Sequence, residues 1–338
     1  MTALSIVVPC FNEEACLNEL HARLGSAARM AVGEDYELVL VNDGSRDASW
    51  PIMQRLSAED PHVVAINLSR NHGHQLALTA GLDLCRGDAI LIIDADLQDP
   101  PELLSAMLAT MREQQADVVY GVRRSRAGET AFKRATAHGF YRLLSRATEV
   151  DIPVDAGDFR LMSRRALDAL LAMPEQARFI RGMVAWIGFR QVPFAYDRQQ
   201  RFAGETKYPF KRMLRFALDA LTGFSSAPLK LATHAGLWLA AGSVLLILYI
   251  AYAWIAGESI PGWTSLMAVV LVLGAMQMFV LALMGEYIGR LYNEAKGRPL
   301  YIVQEVAGGE RREARLGYLA DATANRDKPG GKGKRPTR

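Results

Sequence analysis

Two long runs, residues 235–256 (AGLWLAAGSVLLILYIAYAWIA) and 262–285 (GWTSLMAVVLVLGAMQMFVLALMG), contain no charged side chain. At about 1.5 Å per residue the first spans about 33 Å, enough for a hydrocarbon core of about 30 Å. A soluble helix of that length normally carries charge on one face, so the pattern predicts two membrane-crossing helices. The loop between them, GESIPG at 257–262, is short and carries only Glu258, which makes the pair a hairpin. Lys207, Lys211, Arg212, Arg215 and Lys230 precede it, and Arg290, Lys296 and Arg298 follow it. The positive-inside tendency then puts the long N-terminal part and the C-terminal segment on the cytoplasmic face of the inner membrane. The hydrophobic content of 50% is high for a soluble chain, and these runs hold the excess.

The first 209 residues read differently. LSIVVP (4–9), YELVLVND (36–43), HVVAINLS (62–69) and AILIID (89–94) are short aliphatic strands, and helix-like segments follow each of the first three. One of these places Leu17, Leu20 and Leu24 at helical spacing, and the others cover about 49–59 and 74–85. Continuous aliphatic strands alternating with helices predict an α/β domain with a mostly parallel sheet covered on both faces. Ligands of such sheets bind beyond the carboxyl ends of the strands. Polar clusters stand at all four ends: Phe11, Asn12 and Glu13; Asp43, Gly44 and Ser45; Arg70, Asn71 and Gly73; Asp94, Asp96, Gln98 and Asp99.

The fourth cluster, in ILIIDADLQDPPE, concentrates three carboxylates that repel one another without a cation. Alternation along an extended chain puts Asp94, Asp96 and Gln98 on one side, where hard oxygen ligands suit Mg²⁺ or Mn²⁺. Asp99, just before Pro100 and Pro101, is expected to cap the helix that follows.

VVPCFNEE, VNDGSRD, SRNHGHQLAL and IDADLQDPPE, in that order, resemble the family 2 glycosyltransferases of GT-A (Rossmann-like) fold. Further along, DAGDFRLMSRRALDAL (155–170), RFAGETKYPFKRMLRFALDALTGFSSAPLK (201–230), the two apolar runs and GEYIGRLYNEAKGRP (285–299) narrow the resemblance. They are similar to the polyprenyl-phosphate glycosyltransferases, in the branch of bactoprenol glucosyltransferase and dolichol-phosphate mannose synthase. That resemblance implies inverting sugar transfer from a nucleotide sugar to a polyprenyl phosphate such as undecaprenyl phosphate. It favours UDP-glucose as donor, with UDP-N-acetylhexosamine, UDP-galactose and GDP-mannose open, and it includes tetrameric members.

Carried over by position, the resemblance implies that Pro9, Phe11, Glu13 and Asp43 contact base and ribose. Asp94 then lies near the nucleotide, and Asp96 and Gln98 on the metal, with Asp94 beside them. Asp158 becomes the active-site carboxylate over the acceptor, and Arg123, Arg134, Arg201 and Lys207 the phosphate contacts. Chemistry asks for the same parts, since a leaving diphosphate needs a metal and an acceptor phosphate needs cations. A phosphate monoester, with a second pKa of about 6, is already largely ionised, so Asp158 either orients the acceptor or takes a residual proton. As an ordinary residue it would sit in a turn or at a helix start.

Within the region 210–230, residues 210–224 have helical apolar spacing with basic residues gathered near the start, as in an amphipathic interfacial helix or, alternatively, a helix packed on the catalytic domain. The two spans occupy 231–288. Glu286, Arg290 and Glu294, at i, i+4 and i+8, continue the second helix into a C-terminal segment (289–338) with a Gly-, Pro- and Lys-rich tail expected to be disordered. Cys10, Cys16 and Cys85 have no CxxC spacing and read as core thiols of a reducing compartment. MTALSIVVPCFNEE lacks the basic leader and long apolar region of a cleaved signal. With a net charge of +3 and no dense basic, aromatic surface, nucleic acid is not an expected partner.

Three rival readings fit less well. A processive polysaccharide synthase needs more spans and a QxxRW motif, where this chain has QQRF at 199–202. An aspartate-nucleophile phosphatase needs Thr or Val where Gln98 stands. A silent membrane scaffold has no use for Asp94, Asp96, Asp158, Arg201 and Lys207 together.

Overall fold

The structure, a computed structural model, describes residues 2–123, 156–198, 227–256 and 262–308. The chain divides into two compact units: one holds the described residues up to 198 together with 297–308, the other the hairpin from 227 to 296.

The first unit is built on strands β1 (Leu4–Cys10), β2 (Tyr36–Asn42), β3 (Val63–Leu68) and β4 (Ala89–Ile92), all mutually parallel in the order β4-β1-β2-β3. Helices α1 (Leu17–Val32), α2 (Ser49–Glu59) and α3 (His74–Leu84) form the crossovers. These bounds follow the expected strands and helices closely. Alternation explains the packing: Ile6, Val8, Leu38 and Leu40 join Leu17, Leu20 and Leu24 of α1 in one buried core. Val7, Val39 and Val41 face α3, which approaches through Gly81, where a β-carbon would lie 2.4 Å from Val7 Cγ1. Two polar residues in these strands, Ser5 and Glu37, are buried in register with each other. The Ser5 hydroxyl donates to Glu37, and the Arg86 and Gly87 amides donate to the same pair, so the turn that follows α3 satisfies the buried carboxylate.

The sheet then widens on both sides. After α4 (Leu104–Glu113) come β5 (Val118–Arg123), β6 (Ala156–Ser163), α5 (Arg164–Leu171), α6 (Ile180–Trp186) and β7 (Gln191–Tyr196). β6 inserts antiparallel between β4 and β5, and β7 runs parallel to β5 at one edge. The other edge is supplied by β8 (Val303–Ala307), antiparallel to β3, which completes the order β7-β5-β6-β4-β1-β2-β3-β8. Thus the sheet draws its eighth strand from residues far beyond the 1–209 span expected for the catalytic domain. Tyr301 secures the return by donating its hydroxyl to Asp83 Oδ2 at 2.7 Å.

The second unit contains α7 (Ala227–Ile255) and α8 (Trp263–Ala295), 29 and 33 residues long, packed on each other. Among the described residues one stretch, Val272–Ala295, is long and apolar enough to cross a membrane, with mean hydropathy 1.5; in α7 the apolar helical stretch is Ala232–Leu246. Arg290 Nε donates to Glu286 Oε1 at 3.3 Å, the expected pairing one helical turn apart. Most of the expected interfacial helix (210–226), the loop 257–261 and the tail from 309 lie outside the described residues.

Candidate active site

The strand order places a topological switch between β1 and β4, since the connections leave β1 on one side for β2 and return on the other for β4. The two strands part at their carboxyl ends for a local reason. Ile93 N–H donates to Val7 O at 3.2 Å, and the next rung of a parallel ladder would need an N–H from Pro9, which has none. The crevice opens there.

The loops that follow β1, β2 and β3 are stitched together. Asn12, in the left-handed region at φ 57°, receives the Arg46 amide on its side chain and gives its own amide to Ser45 Oγ. The Glu13 amide donates to Ser49 Oγ, and Phe11 stands exposed beside it. Asp43 is buried, with His72 N–H on one carboxylate oxygen at 2.7 Å and Gly73 N–H on the other at 3.0 Å. Burial raises its pKa, against the pull of those two amides. Gly44, at φ 66°, lets the loops touch, because a β-carbon would sit 2.5 Å from the Asn71 nitrogen.

Beyond β4 the chain does not stay extended. Ala95 and Asp96 form a turn, Leu97 is buried at φ 56°, and Gln98 N–H donates to Asp96 Oδ1 at 3.1 Å. Strict alternation of Asp94, Asp96 and Gln98 along one strand face is therefore replaced by a turn whose reversal is plugged into the core by Leu97. Asp99 is not a helix cap. The single turn that follows, Pro101–Leu103, has Pro100 at its cap position, and α4 has Leu103 at its own, so Asp99 occupies neither. Its carboxylate instead receives the Tyr196 hydroxyl and lies 3.6 Å from Arg198 Nε.

Asp158 lies within β6, not in a turn or at a helix start. Antiparallel pairing carries it to the crevice, while Phe159 points the other way into the core. Four donor contacts meet its buried carboxylate: Arg181 Nε at 2.7 Å and Nη2 at 3.2 Å, His74 Nε2 at 3.3 Å and Gln75 Nε2 at 3.5 Å. Burial alone would raise its pKa, but Arg181 and the hydrogen bond from His74 hold it well below the usual carboxylate range. Burial likewise pulls His74 down, and Asp158 and Asp94 override it to raise the imidazole to about 9. Asp94 is pushed up to about 6, by burial first and then by Asp158, Asp99 and Asp96, against His74.

His74, Asp94 and Asp158 each offer a ligand atom within 4.8 Å of the others, which makes them a candidate cation site. Asp94 Oδ1 is buried without a hydrogen-bond partner, the state expected of an atom that a cation would satisfy. Asp158, by contrast, already spends its charge on Arg181. The oxygen of Asp94 is of the kind that suits a hard divalent ion.

Arg123 stands half-buried at the end of β5, beside Tyr196 of β7. Arg134, Arg201 and Lys207 lie outside the described residues. Sequence reasoning assigned no role to His74, Gln75 or Arg181. The first two sit inside the quoted SRNHGHQLAL stretch and were legible as polar residues at a strand end; Arg181, in FIRGMVAW, carries no such signal.

A switch-point crevice lined with carboxylates on a mostly parallel sheet of this order is an α/β fold of GT-A type. Sequence comparison agrees: residues 5–171 match glycosyl transferase family 2, and residues 227–291 match the GtrB C-terminal hairpin. The uncharacterized glycosyltransferase YkcC of Bacillus subtilis is 48% identical over 309 residues, 91% of this chain and 95% of that one. A prophage bactoprenol glucosyl transferase homolog of Escherichia coli is 38% identical, covering 90% of this chain and 99% of its own. The bactoprenol glucosyl transferase of Shigella phage SfII is 37% identical, covering 89% and 97%. The chain belongs to family 2 of the glycosyltransferases, and it is an enzyme of that class.

Proposed function

We propose that this protein transfers glucose from UDP-glucose to a polyprenyl phosphate at the cytoplasmic face of the membrane, with inversion at the anomeric carbon. The relatives named bactoprenol glucosyl transferase, matched along nearly their whole length, support the acceptor and the sugar. The apolar stretch Val272–Ala295 and the hairpin match support anchoring through two spans near 235–256 and 262–285. The observation that carries the reading is the crevice between β1 and β4, where Asp94 and Asp158 converge on the same nitrogen of His74, Nε2, at 3.6 and 3.3 Å.

In this reading Pro9, Phe11, Glu13 and Asp43 receive the nucleotide. Asp94, Asp96 and Gln98 hold Mg²⁺ or Mn²⁺, whose chemistry is to neutralise the leaving diphosphate. Arg123, Arg134, Arg201 and Lys207 draw in the lipid phosphate. An acceptor phosphate oxygen attacks the anomeric carbon as the bond to the diphosphate breaks, and UDP leaves. The acceptor is already ionised, and Asp158 is held by Arg181, Gln75 and His74 as a weak base, which favours orientation of the acceptor over removal of its proton.

The test is transfer from radiolabelled UDP-glucose, UDP-N-acetylhexosamines, UDP-galactose and GDP-mannose to undecaprenyl phosphate, with Mg²⁺, with Mn²⁺ and with EDTA. Metal-dependent label in lipid from UDP-glucose is expected. Label from another donor alone would replace the sugar, and folded protein that labels lipid from none would overturn the acceptor.

A further inference from the structure

The segment Asn71–Gln75 touches both sides of the crevice. Asn71 Nδ2 donates to the Asp43 carbonyl at 3.1 Å, and the amides of His72 and Gly73 hold the Asp43 carboxylate. Two residues on, Gln75 reaches Asp158. Its amide orientation is dictated by its partners: Ile180 N–H can only donate, so Oε1 accepts it at 3.1 Å, and Nε2 is left for the carboxylate, which can only accept. Ile180 and Arg181 are the first two residues of α6, so Gln75 ties the start of the helix that carries Arg181 to the start of α3.

Arg181 approaches Asp158 as a fork, one nitrogen to each oxygen. Such a pair fixes the plane of the carboxylate, which one monodentate lysine would not do. Behind it, Arg160 is buried and gives Nη2 to Gly157 O at 3.0 Å and Nε to Asp158 O at 3.4 Å, so the backbone of β6 at this point is held as well.

We infer that Arg181 is a positioning residue: with Gln75 it sets the plane of the Asp158 carboxylate, and through the 71–75 segment that plane is registered against the loop that holds Asp43. The inference rests on the proposed role of Asp158. In this inference Arg181 acts through the aspartate and not on the reacting atoms.

The experiment compares full-length wild type with Arg181→Gln, Arg181→Lys, Arg181→Ala, Asp158→Asn and the double variant Arg181→Gln/Asp158→Asn. It reads kcat, both KM values and thermal stability. A misplaced group commonly loses about 10²-fold, so Arg181→Gln is expected to lower kcat by about that factor with both KM values little changed. The double variant should be no slower than Asp158→Asn alone, because the arginine acts through the aspartate. Millimolar guanidinium should partly restore Arg181→Ala, and Arg181→Lys should fall short of wild type. UDP release from the nucleotide sugar without lipid reads the same comparison, so a wild type that hydrolyses donor without labelling lipid would sink the acceptor and leave the arginine on trial. Unchanged kcat in Arg181→Gln with a lower melting temperature would overturn the inference. So would losses that multiply in the double variant.

Discussion

The catalytic unit and the hairpin use the same residue types in opposite ways. Phe159, Leu38 and Leu78 are fully buried in the first, with relative exposure 0%, whereas Trp238 and Leu245 of α7 are 78% and 68% exposed. In water, apolar area turned outward costs about 25 cal/mol per Å², so a unit built like the second is stable only where its surroundings are themselves apolar. The first unit, in turn, spends its polar groups inward: Glu37, Asp43 and Asp158 are buried and each is met by donors. The lesson is that burial alone does not mark the core of this chain; the solvent of each unit decides what counts as inside.

The contrast breaks most readily in the core of the sheet. Phe159→Ala should destabilise the catalytic unit by about 3–5 kcal/mol, the usual cost of emptying an aromatic site, and thermal unfolding of the purified protein would read it. Placing a charge at the centre of α7, as Leu245→Arg, should cost about 2.5–3.5 kcal/mol of membrane insertion. There the readout is recovery in the membrane fraction; an unchanged fraction would mean that this face of α7 does not meet lipid. Asp96→Ala should leave both units folded and inserted yet remove at least about 10²-fold of the transfer rate, since a metal supplies several kcal/mol to such a transition state. Tyr301→Phe, which leaves the Asp83 carboxylate without its hydroxyl donor, should lower the stability of the catalytic unit by about 1 kcal/mol. A larger loss would mean that β8 releases as a unit.

The smallest effect is a pH dependence. The hydrogen bonds from Arg165 hold Asp117 below the ordinary carboxylate value. A depressed folded pKa adds stability above the unfolded value of about 3.9, and that stability is lost as pH falls through the folded value. Asp117→Asn should therefore flatten the fall in melting temperature on the acid side of about pH 4 and lower it slightly at neutral pH.

Much of the site was legible because it sits at the ends of strands. β1, β2, β3 and β4 are continuous aliphatic runs, and the residue after each run needs no knowledge of the fold to be found. Leu17, Leu20 and Leu24 announce α1 by spacing alone. Remote pairing leaves no such mark in the sequence. Asp158 was identified by resemblance, while its place in an antiparallel strand beside β4 depends on residues some seventy positions away. Asp99 looked like a cap because the proline after it suits a helix start, and only the Tyr196 hydroxyl, from the far edge strand, shows where its charge goes. Leu97 at φ 56° is a conformation that no local preference of leucine suggests.

By itself the sequence determined the alternation of strands and helices, the apolar runs of the hairpin and the polar clusters at strand ends. All of these are local patterns, set by side-chain periodicity over a few residues. Tertiary structure alone decided that β6 lies against β4, that β8 returns to β3 from beyond the hairpin, and that Arg181 and Gln75 converge on Asp158. Those contacts join residues from about twenty to more than two hundred positions apart, and no local periodicity encodes a partner at such a distance.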